Sequence, residues 1–252
     1  ALDRLQQWCS DWQLFINISK CHVLHLGNKN AKNQYFINGQ IIDAAQSVTD
    51  LGIEVDFVLK YDLHINSIVS KAYSRIGVLF KGFASRNIQI LKQAYTTFIR
   101  PMLEYASNVW SPHLLKHINA IERVQKHFTK RIKSLAHLTY PERLAALNIE
   151  PLELRRLKAD LILYYKCFHD MVALPFNDYF QVSQHISQTR SGGNRLIVPL
   201  CSTNRFNNEF FNRCVNCWNS LPDDIVNANS INRFKFLLCN FDLSHFLNCN
   251  YF

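Results

Sequence analysis

The 252-residue sequence predicts an α+β fold that is mostly α. We expect a small β-hairpin region at the N-terminus, a helical bundle after it and a small helical module at the C-terminus. Short alternating apolar segments and an Asn-Gly dipeptide indicate strands in the first sixty residues. From Ile65 onward, apolar residues recur every three or four positions, which is the helical period. With 48% hydrophobic residues, the chain has enough apolar surface for a packed core.

The first sixty residues predict one short helix and several strands. The helix precedes Phe15 and is indicated by apolar residues at helical spacing: Leu2, Leu5, Trp8, Cys9 and Trp12. Residues 21–26 alternate as a strand does. Residues 35–37 and 40–42 flank Asn38-Gly39, which supplies the positive φ angles of a type I′ hairpin turn. Residues 48–55 predict a further strand.

Three apolar stripes of helical period follow, over residues 65–83, 88–109 and 114–135. Pro101 interrupts the second stripe. Because proline has no amide hydrogen to donate to the carbonyl of Thr97, we expect a kink there.

The remaining helices are indicated by their first residues. Pro141 and Pro151 each fit the first turn of a helix. Residues 175–205 are polar and lack a helical period, so they predict a loop or linker. A helix is then expected over residues 210–218 and another after Ser230, a good N-cap.

The positive charge of the chain is concentrated in its middle. Residues 61–170 have seventeen Lys and Arg and eight Asp and Glu, so this segment alone has a net charge of +9, equal to that of the whole chain. Residues 1–60 carry five against six, and residues 171–252 carry six against five. A localised basic surface attracts polyanions, of which nucleic acid is the commonest in cells. The alternative is a solvated surface that only keeps the protein soluble.

The third helix carries much of this charge on the face opposite its apolar stripe. The residues on that face are Lys116, Arg123, Lys126, His127, Lys130, Arg131 and Lys133. Glu122 is the one acid in this stretch. Cations on one helix face bind a phosphate backbone by releasing counterions, without reading the base sequence. An ordinary amphipathic helix with a solvated basic face is the alternative.

The cysteines and acidic pairs do not predict a metal site. Cys214-x-x-Cys217 has no second ligand pair and shares a helical stripe with Phe210, so core packing is favoured over zinc. Asp223-Asp224 fits the first turn of a helix rather than a two-metal catalytic turn. The eight cysteines lack the spacing of a disulfide framework, which indicates a reduced cytoplasmic or nuclear setting.

Other classes of protein are disfavoured by what the sequence lacks. No segment approaches the roughly 18–20 apolar residues that a membrane span needs, so no membrane partner is expected. There is no Gly-rich phosphate loop, Gly-x-Ser-x-Gly elbow or His-Glu-x-x-His pair. A free-standing enzyme is therefore not expected. The first residue, Ala1, fits a fragment better than a natural start.

A series of short motifs runs along the whole chain in one order. They are Leu2-Asp3-Arg4-Leu5, Trp8-Cys9, Trp12, Asn17-Ile18-Ser19-Lys20-Cys21, Asp50-Leu51-Gly52-Ile53, Arg100-Pro101-Met102-Leu103-Glu104-Tyr105-Ala106, Trp110-Ser111-Pro112, Phe211-Asn212-Arg213, Trp218-Asn219-Ser220-Leu221-Pro222 and Phe234-Lys235. In this order they resemble the region downstream of the catalytic aspartates in reverse transcriptases of non-LTR retrotransposons, nearest to the jockey-like group. The resemblance covers nearly all of the chain. It implies that the metal-binding Tyr-x-Asp-Asp turn lies just before Ala1.

The resemblance also implies a domain organisation. Residues 1–57 would complete a polymerase palm with a primer-grip-like hairpin, and residues 58–170 would form a helical thumb. Residues 171–205 would be a loop or linker, and residues 206–252 a C-terminal module. The thumb would hold an RNA template paired with a DNA primer. Upstream palm, fingers and endonuclease domains would be its partners, and the palm would use two Mg²⁺ ions, while no cofactor is expected in this chain itself.

Individual motifs imply candidate site residues. Asn17-x-x-Lys20 resembles motif D of the palm, whose lysine lies near the nucleotide phosphates as a possible proton donor to pyrophosphate. From the residues alone, Lys20 is an ordinary surface lysine. The motif around Gly52 resembles the hairpin that grips the primer, against the alternative of a strand with a glycine bulge. The nucleic-acid-binding candidates are therefore Asn17, Gly52, Lys116, Arg123, Lys126, Lys130, Arg131 and Lys133.

The segment from Arg100 to Pro112 resembles the thumb signature of the family. Read from the residues, Arg100 and Glu104 lie four positions apart on a helix and can form an ion pair. Tyr105 and Trp110 are expected to anchor the core.

The expected function is that of the C-terminal part of a retrotransposon RNA-directed DNA polymerase that binds a template–primer duplex. Because the catalytic aspartates are absent, we expect the chain to be inactive alone. One alternative is a non-catalytic nucleic-acid-binding relic of a retrotransposon, and another is an inert pseudogene product.

Overall fold

The computed structural model describes residues 2–83, 87–182, 195–200, 203–249 and 251. Its helices are α1 (Leu2–Asp11), α2 (Asp62–Gly82), α3 (Ile88–Phe98), α4 (Arg100–Glu104), α5 (Ser107–Trp110), α6 (Leu115–Lys130), α7 (Tyr140–Leu147), α8 (Leu152–Phe168), α9 (Phe176–Tyr179), α10 (Asn204–Asn207), α11 (Phe210–Arg213), α12 (Val215–Ser220), α13 (Asp223–Val226) and α14 (Ile231–Asn240). Its strands are β1 (Val23–Leu24), β2 (Phe36–Ile37), β3 (Gln40–Ile41), β4 (Ala44–Ala45), β5 (Ser47–Asp50) and β6 (Ile53–Asp56). The fold is mostly α with a small β region near the N-terminus, which confirms the predicted class.

The chain divides into two compact units, Ala1–Ile68 and Val69–Phe252. Turns of 3-10 helix lie at Ile18–Lys20 in the first unit and at Lys133–Leu135 and Ser244–Phe246 in the second. No helix among the described residues is both long enough and apolar enough to cross a membrane.

The N-terminal unit is built from three short strand pairs. Strands β1 and β4 are parallel, whereas β2–β3 and β5–β6 are antiparallel hairpins. The Asn38-Gly39 turn is confirmed: both residues have positive φ angles, of 50° and 73°, as a type I′ turn requires. The predicted strand over residues 21–26 is reduced to β1.

The single strand predicted over residues 48–55 is wrong, because the segment turns back on itself as the β5–β6 hairpin. The turn is formed by Leu51 and Gly52, whose φ angles are 45° and 85°. Gly52 is therefore a turn residue and not a bulge within a strand. The pattern hid this turn because leucine rarely adopts a positive φ angle.

Helix α1 confirms the predicted N-terminal helix, yet it buries none of its described residues. The side chains of Leu5, Trp8 and Trp12 are 46%, 50% and 67% exposed. Its inner side meets the β2–β3 turn, where the Gln6 side-chain amide donates to Oδ1 of Asn38 at 2.6 Å. An apolar helical period thus predicted the helix correctly but did not indicate burial.

The second apolar stripe forms three short helices, α3, α4 and α5, rather than one kinked helix. Pro101 lies in the first turn of α4, where its missing amide hydrogen costs nothing. Ala106 then adopts the left-handed conformation, with φ of 50°, and separates α4 from α5. Trp110 is buried as predicted, and its indole donates to the carbonyl of Tyr105 at 2.8 Å. Tyr105 is 57% exposed, so its prediction as a core residue is wrong.

The local signals around α7 and α14 gave the correct starts. Thr139 and Glu142 form a capping box at α7, with Pro141 in the first turn. The Ser230 side chain caps α14 by accepting from the amide of Arg233. The Arg100–Glu104 pair also forms, at 3.8 Å, and the guanidinium of Arg155 binds the same carboxylate.

Helix α6 is held in the helical unit by its apolar stripe and by the buried Glu122. One Glu122 oxygen accepts from the amide of Leu152 at 3.0 Å, and the other accepts from the Tyr140 hydroxyl. Next to it, buried Gln125 donates to the carbonyl of Glu150 at 3.0 Å and accepts from Tyr95 at 2.6 Å. Burial raises the pKa of Glu122 above its usual range, although these donors favour the charged form.

The C-terminal part of the chain packs on α8 in one continuous core. Leu161, Tyr165 and Cys167 on α8 belong to a single buried cluster with Trp218 and Phe234 from the later helices. Phe180 and Leu196 join the same core from the segment predicted as a loop or linker. Residues 183–194 and 201–202 of that segment, which include Gly192-Gly193, lie outside the described residues. The predicted helix over residues 210–218 is divided into α11 and α12 at Cys214.

Two buried carboxylates of α8 bind distant parts of the chain. Asp160 accepts from the Arg213 guanidinium at 2.7 and 2.9 Å and from the Asn108 amide at 2.8 Å. Glu153 accepts from the Tyr251 hydroxyl at 2.8 Å and from the backbone and side-chain amides of Asn248. Helix α8 is therefore joined to α5, to α11 and to the end of the chain.

We predict that Leu161→Ala lowers the free energy of unfolding by about 2–5 kcal/mol, because Leu161 is fully buried and its truncation leaves a cavity. Urea unfolding followed by circular dichroism measures the change. Val78→Ala is the control: Val78 is 70% exposed, so its change is expected within about 0.5 kcal/mol. Equal effects of the two substitutions would contradict the described core.

We predict that the wild type gains stability relative to Glu122→Gln as the pH falls from 7 towards about 4.5. A carboxyl group whose pKa is raised by folding binds more protons in the folded state, so its contribution to stability rises on acidification through the folded pKa. The glutamine variant lacks this contribution. Urea unfolding of both proteins across this range measures the free energy of unfolding of the wild type minus that of the variant. A fall in this value on acidification would refute the prediction.

Candidate nucleic-acid interface

Helix α6 separates an apolar face from a cationic face, as its sequence predicted. Its buried residues include Ile118, Ile121, Val124 and Phe128. Among the predicted cations, Lys126 is partly buried, and the rest are exposed: Lys116, Arg123, Lys130, Arg131 and, beyond the helix end, Lys133. The structure thus brings the six predicted cations to the surface of one helix and the turn that follows it.

Most of these cations are not neutralised by neighbouring acids. Among the described residues, no carboxylate lies within 4.0 Å of the charged groups of Arg123, Lys126, Lys130, Arg131 or Lys133. The one acid of the helix, Glu122, is 0% exposed and faces the core. The sequence did not indicate this burial. Because Glu122 is buried, the exposed face of α6 carries cations and no acidic side chain.

Aromatic rings hold two of the cations in place. The Lys126 ammonium lies 5.0 Å from the centre of the Tyr140 ring, and the Arg131 guanidinium lies 4.3 Å from the centre of the Phe80 ring. Such cation–π contacts contribute about 0.5–1 kcal/mol each at exposed sites. They also limit side-chain motion, which reduces the conformational entropy that these side chains would lose on binding a ligand. Arg131 is therefore presented in a defined orientation.

Helix α2 contributes residues that the sequence analysis did not single out for this surface. Phe80 packs under Arg131, and Tyr73 contacts the ring of His127 with 5.3 Å between ring centres. Tyr73 is 37% exposed and lies beside the apolar stripe of α2. In the sequence, the available signal for Tyr73 was its position as a large aromatic residue at the edge of an apolar stripe. The sequence did not indicate that α6 is the helix that packs beside it.

The other predicted site residues lie in the N-terminal unit. Asn17 and Lys20 are both exposed. Asn17 precedes the turn Ile18–Lys20 and Lys20 ends it, and the amide of Lys20 donates to the carbonyl of Asn17 at 3.1 Å. The Asn17 side chain accepts from the Ser19 hydroxyl at 2.7 Å. Gly52 is exposed at the tip of the β5–β6 hairpin. The candidates thus divide between the two units: these three in the first, the α6 cations in the second.

The Cys214-x-x-Cys217 motif lies in the core and not on a surface. Both thiols are about 2% exposed. Burial raises the pKa of Cys217 to about 12 and that of Cys214 well above its usual range. Among the described residues, no group of three or more His, Cys, Asp and Glu side chains could hold a metal ion. Asp223 and Asp224 occupy the first turn of α13, as predicted.

Comparison with known proteins gives distant relatives. No protein-family model matches the sequence, and no solved structure matches the chain. The chain is 26% identical to the uncharacterized protein B0403.1 of Caenorhabditis elegans over 121 residues, which are 47% of this chain and 61% of that protein.

Two further relatives are named as polymerases. The chain is 28% identical over 135 residues to the RNA-directed DNA polymerase from mobile element jockey of Drosophila melanogaster, and 27% identical to that of Drosophila funebris. Each match covers 52% of this chain and 15% of the relative, so the chain corresponds to a small part of these polymerases. The chain is therefore distantly related to RNA-directed DNA polymerases of mobile elements.

Proposed function

We propose that this chain is the part of a retrotransposon RNA-directed DNA polymerase that follows the catalytic aspartates, and that it holds the RNA template and DNA primer. The observation that carries the proposal is the cationic face of α6, which is free of surface acids, in a chain related to jockey polymerases. Nucleic-acid backbones are the polyanions such a polymerase must grip. The helical unit would act as the thumb.

The dimensions of the cationic face fit a duplex backbone. From Lys116 to Lys130 the helix rises by roughly 21 Å, at 1.5 Å per residue. Phosphates along one DNA strand are spaced by roughly 3.4 Å of helix axis, so the length of this face equals that of about six base-pair steps. Lysine and arginine contacts to phosphates give affinity and register but no base specificity. This suits a polymerase, which must bind every sequence that it copies.

The N-terminal unit would complete the palm. In this proposal Lys20 lies near the phosphates of the incoming nucleotide and helps to neutralise the leaving pyrophosphate. Asn17 fixes the turn that presents Lys20, and Gly52 lets the β5–β6 hairpin approach the primer end closely. The Mg²⁺ ions and their aspartate ligands would belong to the upstream palm. Upstream fingers and endonuclease domains would complete the protein.

The second candidate function is that of a non-catalytic nucleic-acid-binding protein derived from a retrotransposon. It uses the same face of α6 and needs no Mg²⁺. The two candidates differ in one measurable respect, which is primer extension by the longer protein.

We predict salt-dependent binding of an RNA–DNA duplex, weakened in the double variant Arg123→Gln/Lys130→Gln. Each lost phosphate contact should reduce the slope of log K against log salt by about 0.9. Fluorescence anisotropy of a labelled duplex between about 50 and 200 mM salt measures the slope.

The control for this prediction is Arg233→Gln/Lys235→Gln, which removes the same charge from exposed positions of α14. The control should keep the wild-type slope. A control that loses as much slope as the α6 variant would show that binding follows net charge and not the α6 face. Binding without salt dependence would reject the interface.

We predict that Lys20→Ala slows nucleotide addition about 10²-fold in a longer protein that also contains the upstream palm, because proton donation or charge neutralisation at pyrophosphate is lost. Single-turnover primer extension on an RNA template measures the rate. Lys29→Ala, at another exposed lysine of the same unit, should have little effect. Equal rates for wild type and Lys20→Ala would remove Lys20 from the mechanism. A longer protein that extends no primer would favour the non-catalytic candidate.

A further inference from the structure

His127 lies at the centre of the cationic face, between two arginines. Arg123 precedes it by four residues and Arg131 follows it by four, so all three project from the same side of α6. Lys130 lies one turn away on the same helix. The imidazole is exposed, and its ring meets Tyr73 of α2 edge-on, with an interplanar angle of 69°. A phosphate strand that contacts both arginines must pass over His127.

The surroundings of His127 disfavour its protonation in the free protein. Partial burial and the charge of Arg131 both lower the pKa of His127 below its usual range. The titratable group that α2 packs against it is Tyr73, whose own pKa is raised by burial, so that its hydroxyl stays neutral. His127 therefore faces cations on α6 and a neutral phenol on α2. In the absence of a ligand these surroundings favour the uncharged form of the ring.

A bound phosphate strand would reverse these conditions. Its negative charges would offset Arg123 and Arg131, and a phosphate oxygen beside the imidazole would accept a hydrogen bond from the protonated ring. The cation–π contact with Phe80 keeps Arg131 on this side of the helix, so the three groups would meet one backbone together. The histidine is thus placed to gain a charge at the moment of binding.

We propose that His127 takes up a proton when a nucleic-acid backbone binds along α6, so that the affinity for the duplex rises as the pH falls. This inference rests on the proposed function, because it concerns the same surface. It adds to that function a proton-linked contact and assigns Tyr73 as the residue that orients the imidazole.

The sign of the linkage follows from the two protonation equilibria. Binding raises the pKa of His127, so the bound state holds more protons than the free state over the interval between the two pKa values. The gain in affinity is complete below the free-state pKa and is lost as the pH rises through the bound-state pKa. A rise of one pKa unit on binding corresponds to a tenfold gain in affinity.

The test is the dissociation constant of a labelled RNA–DNA duplex at about pH 6, 7 and 8 and constant salt. We expect the wild type to bind about threefold to tenfold more tightly at the lowest pH than at the highest. His127→Gln should lose this dependence and keep the weaker affinity throughout. His127→Lys, which is charged at every pH used, should keep the tighter affinity throughout.

A matched control is His137→Gln. His137 is exposed in the same unit, but the charged group it faces is the carboxylate of Glu142 rather than a pair of arginines. This variant should keep the wild-type pH dependence. A direct readout is the pKa of His127 itself, followed by its ring proton resonance in the free protein and in the presence of duplex.

The outcomes separate the two proposals. Salt-dependent binding that is weakened in Arg123→Gln/Lys130→Gln, together with an unchanged pH dependence in His127→Gln, would overturn the inference and leave the proposed function standing. An unchanged pKa of His127 in the complex would do the same. Absence of salt-dependent duplex binding at about pH 8 would overturn both.

Discussion

Helix α8 determines the arrangement of the helical unit, because the hydrogen-bond donors of its two buried carboxylates come from distant segments. Glu153, Arg156 and Asp160 are each at most 7% exposed. Breaking a buried ion pair costs about 3–5 kcal/mol. Asp160 is satisfied by α5 and α11, and Glu153 by the end of the chain. Burial lowers the pKa of Arg156, and the carboxylates around it oppose this shift, while its two terminal guanidinium nitrogens are buried without a hydrogen-bond partner in the described part of the chain. Apolar contacts alone would tolerate small shifts between helices, and we infer that these polar contacts select one arrangement.

Burial of an acid among distant donors also explains why α6 has a cationic outer face. Helix α6 places its acid, Glu122, among the donors of α7 and α8, one turn from the cation Lys126. An acid on the outer face would pair with its neighbours at i+4 and cancel their field. Because Glu122 is buried, the repulsion between the outer cations is reduced by solvent and by the rings of Phe80 and Tyr140. The buried contacts of Glu122 thus stabilise the helix, while its outer surface keeps the positive charge that an anionic partner would bind.

Local patterns in the sequence predicted the fold class, the Asn38-Gly39 turn and the starts of α7 and α14, because each depends on residues within one or two turns. The same holds for the two faces of α6. Periodicity missed the β5–β6 turn and the exposure of Tyr105, since each depends on a backbone angle or neighbour that periodicity does not encode. A hairpin around Gly52 was indicated only by the family resemblance of its motif. The partners of Asp160 lie more than fifty residues away, and the contact between Tyr73 and His127 joins two separate helices. No local pattern contains such pairs.

The contact between Glu153 and Tyr251 has a consequence for biosynthesis. The two residues are 98 positions apart in the sequence. A ribosome releases the chain from the N-terminus, so α8 leaves the exit tunnel long before the donors for its carboxylate have been translated. Until then the Glu153 carboxylate lacks the hydrogen-bond donors of Asn248 and Tyr251 and must be solvated by water. We therefore expect the helical unit to close late, after translation has passed Tyr251, with the nascent chain exposed to chaperones until that point.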